Sequence, residues 1–432
     1  MACKVGSFAI PSSSTFSITG VGFKPRWVIF LCCNTTPAAA DTWTGRPSAS
    51  IGWSALQNSV DDDSGNNLRN SQVSEVWYDT DVGGSFLGDL FSWIRDNGLT
   101  SENFAMYTPS LDADGFTVAF SSGFNVNAVG KVVYYLAGDE TWEEVGSSLA
   151  FVPGTPAYEL GWTPNAFFGI GAGGDVAPFG NTQSMSFFDI SAPSVVGGTF
   201  GDEIDGNRTV VSQWRGILDP NIDVQEWWGY DDGLGTVTIL EETQGGGVWF
   251  STEFDPHRTD TAFVPDFISA GFSLGHVRMQ TIMLGKTACV TGSFMPSTTT
   301  GVWEEVELPI TPEAVVFFSV QDLKAGVAGT SVFGATVWGF CTEDDQAVLG
   351  YGGFWNPPNP QTSGQMHSPN LAWIGNCIET GVIGSVVSAG SARCSANGFE
   401  HRTEYHNASV MYPVLYWAIA PLEEAPGFFR II

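Results

Sequence analysis

Gly169-Ile170-Gly171-Ala172-Gly173-Gly174 has the G-x-G-x-x-G spacing that lets a backbone approach a dinucleotide pyrophosphate. That chemistry needs a helix immediately afterwards, with its N-terminus on the phosphates. Asp175-Val176-Ala177-Pro178 follows instead, so the glycines are expected at a strand end. Gly271-Phe272-Ser273-Leu274-Gly275, with His276 beside it, has the G-x-S-x-G pattern of a nucleophile elbow. An elbow requires a strand, a sharp turn and a helix, whereas this stretch overlaps the expected closing strands of a β-unit. His401, Glu404 and His406 are ligand types for a metal. On a strand, 404 and 406 share a face and 401 points the other way, so the three are not expected to converge. The oxygen-rich stretches Asp61–Asn67 and Asp202–Asn207 could hold Ca²⁺, but they lack the EF-hand ligand pattern and read first as solvated loops.

Aromatic residues give the best hint of binding. Trp227, Trp228 and Tyr230 form one group, and Tyr351, Phe354 and Trp355 another. Both are set among Gly, Asp, Asn and Pro and are expected in loops, where large rings can stack on a sugar or a partner subunit. Packing inside or between domains is the plainer alternative. Carboxylate pairs for glycan cleavage can be drawn at will from 46 acids, so their spacing carries no weight. No enzyme, cofactor or metal is expected.

The net charge of −30 arises from scarce bases, since Lys plus Arg number only 16. Neutralising phosphates takes clustered Lys and Arg, so nucleic acid is excluded as a partner, and anionic membranes by the same argument. No run reaches the ~18 apolar residues of a membrane span. The N-terminus shows no secretory signal, and the seven Cys form no tight CxxC framework. A cytoplasmic origin with reduced thiols is expected.

The elements that must position any site come from a repeat. Ala2-Cys3-Lys4-Val5-Gly6-Ser7-Phe8 returns as Ala288-Cys289-Val290-Thr291-Gly292-Ser293-Phe294. The midpoint between Phe8 and Phe294 is Phe151, in Gly146–Phe151, which suggests a third, worn copy. Three units follow, 1–142, 143–285 and 286–432, each near the commonest domain size. Each is expected to fold on its own, because a unit that size buries roughly 68–70% of its unfolded surface. In each, Pro25, Pro164 or Pro312 stands just ahead of an apolar run, Trp27–Cys33, Ala166–Ile170 or Ala314–Val320, expected as a fully buried strand. Asp114-Gly115-Phe116 and Asn397-Gly398-Phe399 mark late turns, and Val132–Ala137 and Val414–Ala420 the closing strands. In the second unit, Gly245–Phe250 and Phe267–Phe272 are the expected equivalents. One amphipathic helix is expected over Ser85–Arg95, from Phe86, Leu90 and Ile94 with Gly98 beyond. The fold class is all-β, with three tandem jelly-roll-like β-sandwich domains whose first and last strands pair.

Gly6-Ser7-Phe8, Gly22-Phe23-Lys24-Pro25, Asp114-Gly115-Phe116 and Tyr134-Tyr135-Leu136-Ala137 together resemble the repeated β-modules of tailed-bacteriophage virion proteins. The resemblance covers the first unit well and the third fairly. The second departs, with Trp162 for the Phe. It implies a structural protein of tail, tail tip, fibre or head surface, made in the host cytoplasm and located in the virion. It also implies a homo-oligomer, a trimer first, whose partners are other virion proteins and, through the loop aromatics, a host surface glycan. No catalytic residue transfers. A carbohydrate-binding β-sandwich protein and a glycan-degrading enzyme remain the alternatives.

Overall fold

Short runs rich in aromatic and β-branched residues, separated by Gly and Pro turns, form strands almost throughout. A computed structural model describes the backbone of residues 1–33, 35–41, 44–45, 48–55, 72–78, 82–87, 91–94, 103–120, 126–139, 145–151, 158–173, 193–198, 209–215, 226–232, 237–242, 248–258, 262–267, 277–320, 333–356, 359–379, 382–406 and 413–422. Side chains are described for 1–32, 35–41, 51–55, 106–120, 126, 128–139, 159–166, 282–319, 337–350, 366–375, 388–406 and 413–422.

The first unit contains β1 (Cys3–Ala9), β2 (Thr15–Thr19), β3 (Trp27–Cys33), β4 (Thr44–Gly45), β5 (Ser48–Ala55), β6 (Gln72–Tyr78), β7 (Val82–Leu87), β8 (Phe91–Ile94), β9 (Asn103–Asp112), β10 (Gly115–Phe120) and β11 (Val132–Gly138). The second contains β12 (Val145–Phe151), β13 (Tyr158–Glu159), β14 (Ala166–Gly173), β15 (Pro193–Gly198), β16 (Thr209–Arg215), β17 (Glu226–Asp232), β18 (Val237–Glu242), β19 (Val248–Arg258), β20 (Ala262–Phe267) and β21 (Val277–Leu284). The third contains β22 (Thr287–Phe294), β23 (Trp303–Glu307), β24 (Ala314–Val320), β25 (Phe333–Cys341), β26 (Gln346–Asn356), β27 (Asn359–Ser368), β28 (Trp373–Glu379), β29 (Val382–Ser395), β30 (Gly398–His406) and β31 (Val414–Pro421).

The fold is all-β and antiparallel, and one strand order occurs three times. The larger sheets run β1-β11-β3-β5-β6-β7, β12-β21-β14-β15-β16-β17 and β22-β31-β24-β25-β26-β27. The four-stranded sheets run β2-β10-β9-β8, β13-β20-β19-β18 and β23-β30-β29-β28, and each packs on the larger sheet of its own unit. First and last strands pair in all three, as in a jelly roll, while the remaining strands form two meanders. The first strand takes the sheet edge and the closing strand lies one place in. The prolines stand just outside the ladder, as their missing N–H requires. The residue after each one, Arg26, Asn165 or Glu313, donates its N–H to the closing strand, at 2.7, 2.8 and 2.8 Å.

Three expectations are corrected by the pairing. Ser85–Arg95 is not a helix: Ser85–Leu87 end β7 and Phe91–Ile94 form β8. An isolated helix of that length is marginal, and pairing with β6 and β9 satisfies the same backbone groups. Phe151 is the rung equivalent of Phe8 and Phe294, as expected: the three stand opposite Met279, Val133 and Val414, each five residues before the carbonyl that accepts from the residue after the proline. Gly6, Ser148 and Gly292 share a rung, opposite Tyr135, Thr281 and Tyr416, and a bulge between Ser148 and Phe151 takes up one extra residue in the second unit. The second unit's counterpart of Gly115-Phe116 and Gly398-Phe399 is Ala262-Phe263, opposite Glu159 and Tyr158, rather than Gly245–Phe250. Its closing strand is β21 rather than Phe267–Phe272.

The motif glycine has a packing cause. A side chain on Gly6 or Gly292 would collide with the ring of Tyr135 or Tyr416 across the ladder. Phe8 packs edge-on against Phe16 and Phe116, with centroids at 5.6 and 6.4 Å. Phe294 packs the same way against Phe317 and Phe399.

The larger sheets are buried on both faces. Along β3, Val28, Phe30 and Cys32 fill the interior of the first sandwich, while Trp27, Ile29 and Leu31 enter a different core. That second core also takes Ile282 and Leu284 from the second unit and Val316, Phe318 and Ile419 from the third. It joins all three units. Around it, β5 and β7 touch β12 and β15, β14 touches β22, and β26 touches β1 and β3. In three of these contacts the first strand of one larger sheet lies against a strand of the preceding unit: β12 on β5, β22 on β14 and β1 on β26. Contacts of this head-to-tail kind close into a ring.

Candidate functional site

The aromatic candidates are strand residues rather than loop residues. Trp227, Trp228 and Tyr230 lie in β17, at the edge of the second unit's larger sheet, opposite Trp214, Gln213 and Val211. Tyr351, Phe354 and Trp355 lie in β26, inside the third unit's larger sheet. Tyr351 pairs with Thr336 on one side and Gln365 on the other. Aromatic side chains suit a pleated surface. The glycines that read as turn signals are ladder members, with Gly352 opposite both Ala335 and Gly364. The two groups sit in different sheets.

Gly169 and Gly171 lie inside β14 and are paired on both sides, so the strand runs through most of the G-x-G-x-x-G match and presents no phosphate turn. Gly271–His276, Asp61–Asn67 and Asp202–Asn207 lie outside the described residues. His401, Glu404 and His406 all belong to β30. His401 is buried, with its ring 4.2 Å from that of Phe294 and 6.4 Å from Trp373. Glu404 accepts from Ser391 Oγ at 2.7 Å and from Arg402 Nε at 2.8 Å. Among the described residues, no three His, Cys, Asp or Glu side chains group as a metal site.

One exposed face does gather mixed chemistry. Cross-strand rungs align Trp303, Arg402 and Ser391, then Glu305, Glu400 and Arg393, on the third unit's four-stranded sheet. The guanidinium carbons of Arg393 and Arg402 lie 4.4 and 4.8 Å from the Trp303 ring centroid. Arg393 pairs with Glu400 and Arg402 with Glu404. At exposed positions each cation–π contact contributes about 0.5–1 kcal/mol and each ion pair less than about 1 kcal/mol. The indole is already occupied by these two guanidiniums, so the face is a self-satisfied patch and not an open stacking platform.

A buried polar arrangement lies where the third unit meets the first. Sequence gave no sign of it, because its members come from two units. The segment between β3 and β5 leaves its own sheet, and β4 adds to the edge strand β27, with Thr44 opposite Gln365 and Gly45 opposite Gly364. Thr35 O holds its start on Val132 N at 2.9 Å, and Asp41 N donates to His367 O at 2.8 Å. Beneath this arm, the Tyr134 hydroxyl and His367 Nδ1 share a buried 2.7 Å hydrogen bond. Lys4 and Asp345 form an ion pair across the same seam. No chain link joins these two units directly, so side-chain and edge-strand contacts alone close the ring there.

Burial lowers the pKa of His367, partly offset by the Asp41 carboxylate and the Thr36 carbonyl. Burial also lowers that of His401, partly offset by Glu304. Unfolded, both return to the ordinary value of about 6.5 and bind protons more readily than when folded. Their contribution to stability is therefore complete above about pH 6.5 and is lost as pH falls below it. Urea midpoints should hold from pH 8 to about 6.5 and decline towards pH 5, with a shallower decline in His367→Gln. A midpoint that rises on acidification would contradict this.

No protein-family model matches the chain, and no curated protein matches it.

Proposed function

We propose that the chain is a structural protein of a tailed-virus particle, on its tail, tail tip, fibre or head surface, and that one chain supplies the threefold geometry otherwise built from three copies. The observation that carries the second half is the closed cycle of contacts among three identically connected sandwiches around one shared core. A cyclic trimer repeats one heterologous interface three times. Here the three interfaces lie within one polypeptide, so the trimer expected from sequence becomes a monomeric pseudotrimer. The virion half rests on the resemblance of Gly6–Phe8, Gly22–Pro25, Asp114–Phe116 and Tyr134–Ala137 to phage β-modules. Its partners are then other virion proteins, with a host surface glycan as a further contact.

Light scattering on the purified chain should return a single 46.2 kDa species, and mass spectrometry of purified tailed particles should find the chain as a stoichiometric component. A stable solution trimer sinks the pseudotrimer. Absence from particles, with the chain abundant in the same lysate, sinks the virion assignment.

A further inference from the structure

Two thiols of the third unit meet across its sandwich. Cys341 ends β25 in the larger sheet, and Cys394 lies near the end of β29 in the four-stranded sheet. Both are buried in the same core cluster, together with Trp373 and Phe399. The backbones are tied at this point, since Cys394 N donates to Thr342 O at 3.1 Å. The Cys394 thiol points back at Cys341, with Sγ 3.9 Å from the Cys341 carbonyl oxygen. Both cysteines are free.

The module does not need thiols at these rungs. Cys341 pairs with Val315, and the matching rung in the first unit pairs Ser54 with Val28. Cys394 pairs with Phe399, and the matching rung there pairs Leu111 with Phe116. In the second unit, Gly198 and Arg258 hold the two places. One fold thus carries three different pairs, and only the third unit brings two sulfurs together.

We propose that Cys341 and Cys394 form a latent inter-sheet disulfide, open in a reducing compartment and closed in an oxidising one. The oxidant is a small-molecule disulfide such as oxidised glutathione. Cys394, the less buried of the two, loses its proton to solvent and attacks the oxidant, whose S–S bond breaks to release one thiolate. Cys341 then loses its proton and attacks the Cys394 sulfur, expelling the second glutathione thiolate. Two protein thiols become one S–S bond, and the two electrons end on two glutathione thiols. Closing the bond fixes the two sheets together and shortens the accessible unfolded chain. The thiols lie inside the sandwich, so closure occurs during folding or local opening.

The test refolds the full chain in reduced and oxidised glutathione buffers, alkylates free thiols and maps the peptides. The expected result is a Cys341–Cys394 link in the oxidised sample, with its melting temperature several degrees above the reduced sample. Cys341→Ser, which places in the third unit the residue type of Ser54, should fold and lose both the link and the redox-dependent gain. Seven alkylated thiols after oxidative refolding would overturn the proposal, as would a 341–394 link that leaves the melting temperature unchanged or lower.

Discussion

Replacing Trp27 by Ala should destabilise the whole chain by about 3–5 kcal/mol, the usual cost of truncating a buried Trp. Trp27 is wholly buried at the start of β3, between Ala55 and Gly138 on the neighbouring strands. Its indole lies over Gly138, where any side chain would collide with it. It belongs to the core that the three units share, whereas its neighbour Val28 belongs to the first sandwich alone. The lost contacts are therefore between units. Hydrogen exchange should show peptides from all three units losing protection together. Loss confined to residues 1–138 would restore the expectation of three independent domains, which the shared core argues against.

How much of this was legible follows from particular residues. Gly6, Gly292, Phe8 and Phe294 announced a repeat because the same rungs demand the same residues: no side chain under Tyr135 or Tyr416, and a ring against Phe116 or Phe399. The apolar strands after Pro25, Pro164 and Pro312 were equally plain. What their pattern implied was less plain. A strand of an isolated sandwich alternates, because one face meets water. Trp27–Cys33 and Ala314–Val320 do not alternate, and a continuous run means that a further layer covers the outer face. That layer is the neighbouring units. An equal division of the chain placed Phe151 with Phe8 and Phe294 correctly, since a bulge before it absorbs the second unit's extra residue, whereas the unit's late turn and closing strand carried no clear signature and were placed too early. The aromatic groups misled because glycine weighs as a turn signal in sequence, although Gly350, Gly352 and Gly353 are ladder residues of β26. Tyr134 and His367 could not have been joined from sequence, since they are 233 residues apart and share no spacing.

Gly115→Ala should cost about 3 kcal/mol or more, combining strain at a glycine-only φ with a broken rung between β2 and β10. Gly115 opens β10 at φ 150°. A methyl group there would press into the carbonyl oxygen of Ile18, a backbone atom that cannot swing aside. The preceding residue adds to the demand. The Asp114 carboxylate accepts from Gly22 N at 2.7 Å and Gly20 N at 3.0 Å, so this turn also holds the loop that delivers the chain to β3. Gly398 repeats the arrangement in the third unit, at φ 142° against Val306 O. The second unit carries Ala262 on the same rung, with Arg258 pairing Phe263 as Leu111 pairs Phe116. Gly115→Ala and Gly398→Ala should therefore both lower the urea midpoint sharply, while Ala262→Gly changes it by less than about 1 kcal/mol. A Gly115→Ala chain as stable as the parent would mean that the β2–β10 pairing does not fix this backbone.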